Sequence, residues 1–213
     1  MNVTERLGLS YEVWADRILY FPGAVPDSDF SIKYMESHID EWYENGANPA
    51  WGDPKNGPAR DDCYIDFPSQ EEADVVSECF NEYNKLFGYN YFDRGFKGFN
   101  KEDTEYNGVR YRLGGLAASH KDQPVPHDIG LVNACLYLND DYEGGELIFD
   151  YMPEVPEYKP KKGDILIFPG HFDHTAKSTT SGTKYLVLIK LYTTGPGIQT
   201  PLELLEETGM ENM

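Results

Sequence analysis

The residues best suited to chemistry are His120 and Asp122, in SHKD (119–122), together with a histidine roughly fifty residues further on, His171 or His174, in GHFDHTAKSTTSGTK (170–184). Two neutral imidazoles and one carboxylate on one face of an iron(II) ion leave the opposite positions open for a bidentate oxo-acid and dioxygen. A His-x-Asp spacing delivers two ligands from the end of a strand, because residues i and i+2 project to the same side. The third ligand must then come from a distant strand.

His-x-Asp occurs three times in the chain, as His38/Asp40, His120/Asp122 and His171/Asp173, and its context separates the three. His38 and Asp40 lie in DSDFSIKYMESHIDEW, where Phe30, Met35, Ile39 and Trp42 recur at helical spacing. On a helix, i and i+2 do not face each other, so that pair cannot chelate. His171/Asp173 is followed only by His174, too near to arrive from another strand. Only His120/Asp122 has histidines several predicted strands downstream, with a lysine, Lys184, beyond them.

The elements that must position these residues are short and β-rich. From Val109 onward the runs VRYRL, LVNACLYL, GELIF, DILIF and KYLVLIKLY are separated by the turn clusters NDDYEGG, KPKKGD and TTSG, as in an antiparallel sandwich or barrel. Upstream, RILYFPGAVP (17–26) reads as a short strand stopped by a turn. A first helix capped by Asp27 or Ser28 runs to about Tyr43. AWGDPKNGPARDDC (50–63) is rich in Pro, Gly and Asp, reads as a loop, and places Trp51 and Arg60 as candidate lid residues over a substrate. SQEE (69–72) is a capping box that starts a second helix, whose stripe Ala73, Val76, Phe80, Tyr83 and Phe87 should pack on the sheet. His127, in PVPHDIG, is expected on a loop near the mouth of the site, and the acidic end GPGIQTPLELLEETGMENM as a short helix or tail.

Composition narrows the function classes. With 213 residues the chain is long enough for one domain with a sizeable core. A net charge of −19 repels polyanions and favours neutral or basic partners, which makes nucleic acid a poor substrate. The 16 tyrosines and 11 phenylalanines suit strands and a ring-lined pocket. Cys63, Cys79 and Cys135 are odd in number and lack metal-type spacing, as reduced thiols in an intracellular protein would be. The polar start MNVTERLGLSYEVW is not a signal peptide, and no apolar run approaches the roughly 20 residues of a membrane span. A soluble, cytoplasmic protein is expected.

Taken together, GVRYRLGGLAASHKD, NACLYLNDDYEGGELIF, KPKKGDILIFPG and HTAKSTTSGTKYLVLIKLY resemble the core of the 2-oxoglutarate and iron(II) dependent dioxygenases, in the prolyl 4-hydroxylase-like branch, over about residues 108 to 193. The resemblance implies a β-rich α+β fold: a double-stranded β-helix (jelly roll, cupin-like) core with N-terminal supporting helices. It implies one domain over 1–213, with helical support over about 1–107, the core over about 108–193 and an acidic tail over 194–213. Position by position, His120, Asp122 and His174 match the iron ligands. Lys184 matches the residue that pairs with the distal carboxylate of 2-oxoglutarate; it stands ten residues after His174, the family's spacing for lysine, which is why His174 is preferred to His171. Tyr137 matches a tyrosine that bonds the same carboxylate, and Tyr111 the first tyrosine of a Tyr-x-x-Gly lead into the metal motif. Gly115 and Ala117 depart from the glutamine and second tyrosine that the family often carries, which bears on the substrate side of the pocket.

The activity so implied is hydroxylation of a C–H bond, with Fe(II), 2-oxoglutarate and O2 as cofactor and cosubstrates, ascorbate as a candidate reductant, and succinate and CO2 as co-products. The substrate would be a prolyl residue of a peptide or protein, or free proline. Asp122 favours hydroxylation over halogenation, since related halogenases have a small residue there. The alternatives are an oxygenase acting on a different small molecule and a non-catalytic cupin-like module that holds a metal or ligand. A nucleic-acid demethylase is disfavoured by the acidity and by Lys184, where that branch uses arginine.

Overall fold

The structure, a computed structural model, describes residues 8–15, 17–25, 28–37, 43–44, 60–64, 70–87, 104–122 and 131–192. These form strands β1 (Glu12–Trp14) and β2 (Ile18–Phe21), helix α1 (Asp29–Ser37), strands β3 (Tyr43–Glu44) and β4 (Arg60–Tyr64), and helix α2 (Gln70–Phe87). There follow β5 (Thr104–Tyr111), β6 (Ala117–His120), β7 (Leu131–Tyr137), β8 (Glu143–Gly144), β9 (Leu147–Phe149) and β10 (Ile165–Pro169). The series ends with β11 (His174–Ala176), β12 (Thr179–Ser181) and β13 (Lys184–Tyr192).

The large sheet runs β1-β2-β10-β7-β13-β5-β4-β3, all antiparallel. A three-stranded sheet, β6-β11-β9, and a pair, β12-β8, complete a double-stranded β-helix. The central strands are apolar on both faces, so period 2 sorts their residues into two cores rather than into core and solvent. On one face Leu19, Ala134, Leu136, Ile165, Ile167, Val187 and Ile189 join Met35 of α1 and Val76, Phe80 and Tyr83 of α2. On the other, Tyr20, Cys135, Tyr137, Leu166, Phe168 and Leu186 join Leu147, Phe149 and Phe172 from the smaller-sheet side. This second core encloses the candidate site.

Helix α2 lies where the capping signal and stripe place it, with Glu71 and Glu72 in its first turn and Lys85 in its last, complementing the helix dipole. Val76, Phe80 and Tyr83 are fully buried, worth roughly 1.5–3 kcal/mol each in area removed from water. Ser69, the expected cap, lies outside the described residues; Glu72 accepts a bond from the Ser31 hydroxyl of α1.

Three expectations are corrected. Helix α1 is shorter than the stretch to Tyr43, because Tyr43 and Glu44 pair as a strand with Asp62 and Asp61. Ser28 precedes it, but its hydroxyl donates to Leu138 O at 2.6 Å and so ties the helix to the sheet. The supposed loop over 50–63 ends in strand β4, whose sequence RDDCY carries no apolar alternation. That strand forms because β5 offers a ladder and because Asp61, 2% exposed, binds Arg110 at 2.6 Å and Arg112 at 2.9 Å. The N-terminal part is therefore mixed rather than helical, contributing β1 to β4 and the start of β5 to the large sheet. Residues 38–42 and the C-terminal segment 193–213 lie outside the described residues.

The turn before β10 locks the sheet to the end of β2. Asp164 accepts from Gly23 N at 2.8 Å, Lys161 N at 3.0 Å and the Tyr20 hydroxyl at 3.2 Å, and also from the Tyr158 hydroxyl. Gly163 has φ +82°, and a Cβ there would stand 2.2 Å from Val25 O. Gly163→Ala combines left-handed strain with a backbone clash, so a loss of about 2–4 kcal/mol is expected in urea unfolding.

Candidate functional site

His120 ends β6 and His174 begins β11, and the two residues face each other across the ladder. Their ring centroids are 4.3 Å apart. Asp122 follows two residues after His120, its carboxylate 3.3 Å from His174 Nε2 and 3.8 Å from His120 Nε2. The potential ligand atoms of the three residues lie within 4.8 Å of one another, a grouping able to hold a metal ion. Phe168 packs edge-on to the His174 ring at 5.0 Å, and Phe149 lies 6.4 Å from it.

The hydrogen bonds around the rings decide which nitrogens are available. His120 Nδ1 lies 2.8 Å from Ala118 O and His174 Nδ1 lies 3.0 Å from Phe172 O. A carbonyl only accepts, so both Nδ1 atoms carry the proton and both Nε2 lone pairs point toward Asp122. Burial, and after it the adjacent His174, hold the His120 imidazole below its ordinary pKa, which favours the neutral, ligating form. Two neutral imidazoles and one carboxylate suit Fe(II). The donor set therefore fits the metal.

The wall between this group and Lys184 is strand β7. Its site-facing residues are Asn133, which donates to Asp122 Oδ2 at 2.7 Å, then Cys135 and Tyr137. Burial pushes the Cys135 thiol up to about 12 and the Tyr137 phenol well above its usual value, so both stay protonated. Lys184 is 2% exposed and donates to Gly145 O at 2.7 Å. Its ammonium lies 5.2 Å from the Tyr137 ring, 5.5 Å from Tyr111 and 5.9 Å from Tyr142. No carboxylate forms a salt bridge with it among the described residues. Burial pulls its pKa down to about 8. The arrangement is a buried cation ringed by phenols, on the same side of β7 as the imidazole–carboxylate group, with the Cys135 thiol feeling the charge of both Lys184 and Asp122.

The structure thus brings together His120, Asp122, His174, Lys184, Tyr137 and Tyr111. His171 stands apart, its ring against Phe172, and Asp173 pairs with Lys121 at 3.3 Å. Arg60 is not on a lid loop: it lies in β4, 7% exposed, with its guanidinium 5.6 Å from the Tyr111 ring and close enough to act electrostatically on His120. Trp51, His127 and the His38/Asp40 pair lie outside the described residues. Two residues that the sequence reading passed over also reach the site, Asn133 and Lys190, whose ammonium is 3.7 Å from Asp122 Oδ1. A polar residue amid each of the apolar runs LVNACLYL and KYLVLIKLY was the available signal.

Comparison with known proteins agrees with this geometry. Residues 106–191 match the family model of the 2OG-Fe(II) oxygenase superfamily. A PKHD-type hydroxylase of Hyphomonas neptunium is 36% identical over 84 residues, 35% of this chain and 37% of that protein. The matched region thus spans less than two fifths of the curated relatives. Among solved structures, a prolyl-4-hydroxylase of Pseudomonas putida superposes with a TM-score of 0.59 at 17% identity, over 91% of this chain and 98% of that one. A Trichoplax adhaerens prolyl hydroxylase, solved with a peptide fragment of the hypoxia inducible factor oxygen degradation domain, gives 0.57 at 14% identity over 99% and 92%. At these identities the structural likeness establishes the fold. No helix among the described residues is long and apolar enough to cross a membrane.

Proposed function

We propose, from a core whose residues 106–191 match the family model of the 2OG-Fe(II) oxygenase superfamily, that this chain hydroxylates a C–H bond of a prolyl residue in a peptide or of free proline. The observation that carries the reading is the pairing of two unlike groups around Cys135 on one face of β7. A mere metal holder needs the group His120, Asp122 and His174 but has no use for a buried ammonium that no carboxylate among the described residues neutralises. Lys184 supplies a partner for an anionic cosubstrate with a second carboxylate to spare, as 2-oxoglutarate has. The peptide-bound Trichoplax enzyme supports a peptide as substrate.

When bound, Fe(II) with 2-oxoglutarate and O2 supplies the oxidising power, with succinate and CO2 as co-products. This chain's residues bind and orient. His120, Asp122 and His174 would hold the metal, leaving its other positions open. Lys184 would neutralise the distal carboxylate by a charge-assisted hydrogen bond, and the protonated Tyr137 hydroxyl would donate to it. Tyr111, beside Lys184, would help to orient the cosubstrate. Phe149, Phe168 and Leu186 would exclude water, strengthening these contacts. Arg60 would meet the substrate or cosubstrate from the β4 side of the pocket, with Trp51 and His127 as further substrate contacts.

The test is anaerobic addition of Fe(II) and then 2-oxoglutarate, watching for the visible charge-transfer band of the chelate, followed by O2 and assay of succinate. A band in the wild type that is lost in His120→Ala, with succinate formed, is the expected result. Iron bound with neither band nor succinate would leave a metal-holding module and end the oxygenase reading.

A further inference from the structure

The side chain that holds Asp122 in place comes from another strand. Asp122 lies two residues beyond the end of β6, so no ladder fixes it. Asn133, fully buried on β7 near the centre of the large sheet, reaches it with Nδ2 at 2.7 Å from Oδ2. On the neighbouring strands Asn133 is flanked in register by Lys190 and Phe168. Lys190 stands 3.7 Å from the other carboxylate oxygen, Oδ1, and so supplies charge without a hydrogen bond.

A second feature separates Asn133 from an ordinary core amide. Its own Oδ1 is buried and meets no donor among the described residues. A buried acceptor left in this way opposes folding. An apolar residue at 133 would avoid that cost beside Phe168, Cys135 and Leu188, and what the amide gains in return is its bond to Asp122.

Building on the proposed metal site, we infer that Asn133 is a positioning residue: it fixes the Asp122 carboxylate against the two Nε2 atoms, and so sets metal affinity while contributing nothing to the stability of the metal-free fold. Outer groups that orient metal-ligating side chains are typically worth about 10–100-fold in affinity.

The test compares full-length wild type with Asn133→Leu, which keeps the branched shape, at some added bulk, and removes both the donor and the orphaned acceptor. Metal affinity is measured anaerobically with Fe(II), and with Co(II) through its visible ligand-field spectrum. The melting temperature is taken without metal. Expected are a loss of affinity of at least about tenfold, an altered Co(II) spectrum, and metal-free melting at or above that of wild type. Asn133→Ala, which lacks the donor without added apolar bulk, carries the same expectation for affinity should the leucine fail to fold. Unchanged affinity and spectrum, or lower metal-free stability with unchanged affinity, would overturn the assignment and leave the proposed function intact. Failure of the wild type to bind either metal would overturn both.

Discussion

His174→Ala is expected to lower Fe(II) affinity by more than the about 10–100-fold typical of losing an orienting neighbour, and to bring succinate formation to background, because it removes one of the two imidazole donors of the group His120, Asp122 and His174. The geometry makes the choice of histidine sharp. His174 Nε2 is 3.3 Å from Asp122 and its Nδ1 is occupied by Phe172 O, whereas His171 packs its ring on Phe172 and is no part of the metal-holding group. His171→Ala should therefore keep both affinity and turnover. Since His174 is buried against Phe168 and Phe149, alanine also leaves a small void, so His174→Gln, closer in volume, and a melting curve separate lost ligation from lost packing. Anaerobic equilibrium dialysis with Fe(II) reads the first quantity and succinate assay the second. If His174→Ala kept iron while His171→Ala lost it, the third ligand would move to His171 and the tautomer argument would fail with it.

How much of this was legible depends on where each residue's constraint resides. His120 and Asp122 could be read because a strand end dictates their spacing. Lys184 stood out because a charge in KYLVLIKLY contradicts its surroundings. Helix α2 was legible because its stripe and cap are local. Strand β4 was not, since RDDCY has neither apolar alternation nor β-branched residues; its pairing comes from β5 and from arginines 49 and 51 residues beyond Asp61, Arg110 and Arg112. Arg60 followed the same error, placed on a lid when β4 buries it in the pocket wall. Asn133 and Lys190 were masked differently. With both faces of β7 and β13 buried, the runs show no alternation, and which side a polar residue faces is fixed only by the register of Asn133 with Lys190.

Lys184 gives the prediction that most directly tests its proposed pairing with the cosubstrate. Burial depresses its pKa to about 8 in the ligand-free fold, from an ordinary 10.5. Between those values the folded protein binds fewer protons than the unfolded chain, so the cost of burying the ammonium is fully present below pH 8 and is relieved as pH rises toward 10.5. An anion bound at Lys184 acts in the opposite direction, favouring the charged form. Affinity for 2-oxoglutarate should therefore hold below pH 8 and fall above it, approaching tenfold per pH unit, with up to one proton taken up on binding near pH 9. Calorimetry in buffers of different ionisation enthalpy reads that proton directly, and metal-saturated protein keeps the comparison to the cosubstrate alone. Lys184→Ala should weaken 2-oxoglutarate by about 10–150-fold, the worth of a hydrogen bond to a charged group, while Fe(II) affinity changes little. Lys184→Arg, charged at every accessible pH, should bind with a flat profile over the same range even where its bulk lowers the affinity. A wild-type profile as flat as that of Lys184→Arg, or wild-type affinity in Lys184→Ala, would remove Lys184 from the cosubstrate site. The buried ammonium would then need another anion to explain it.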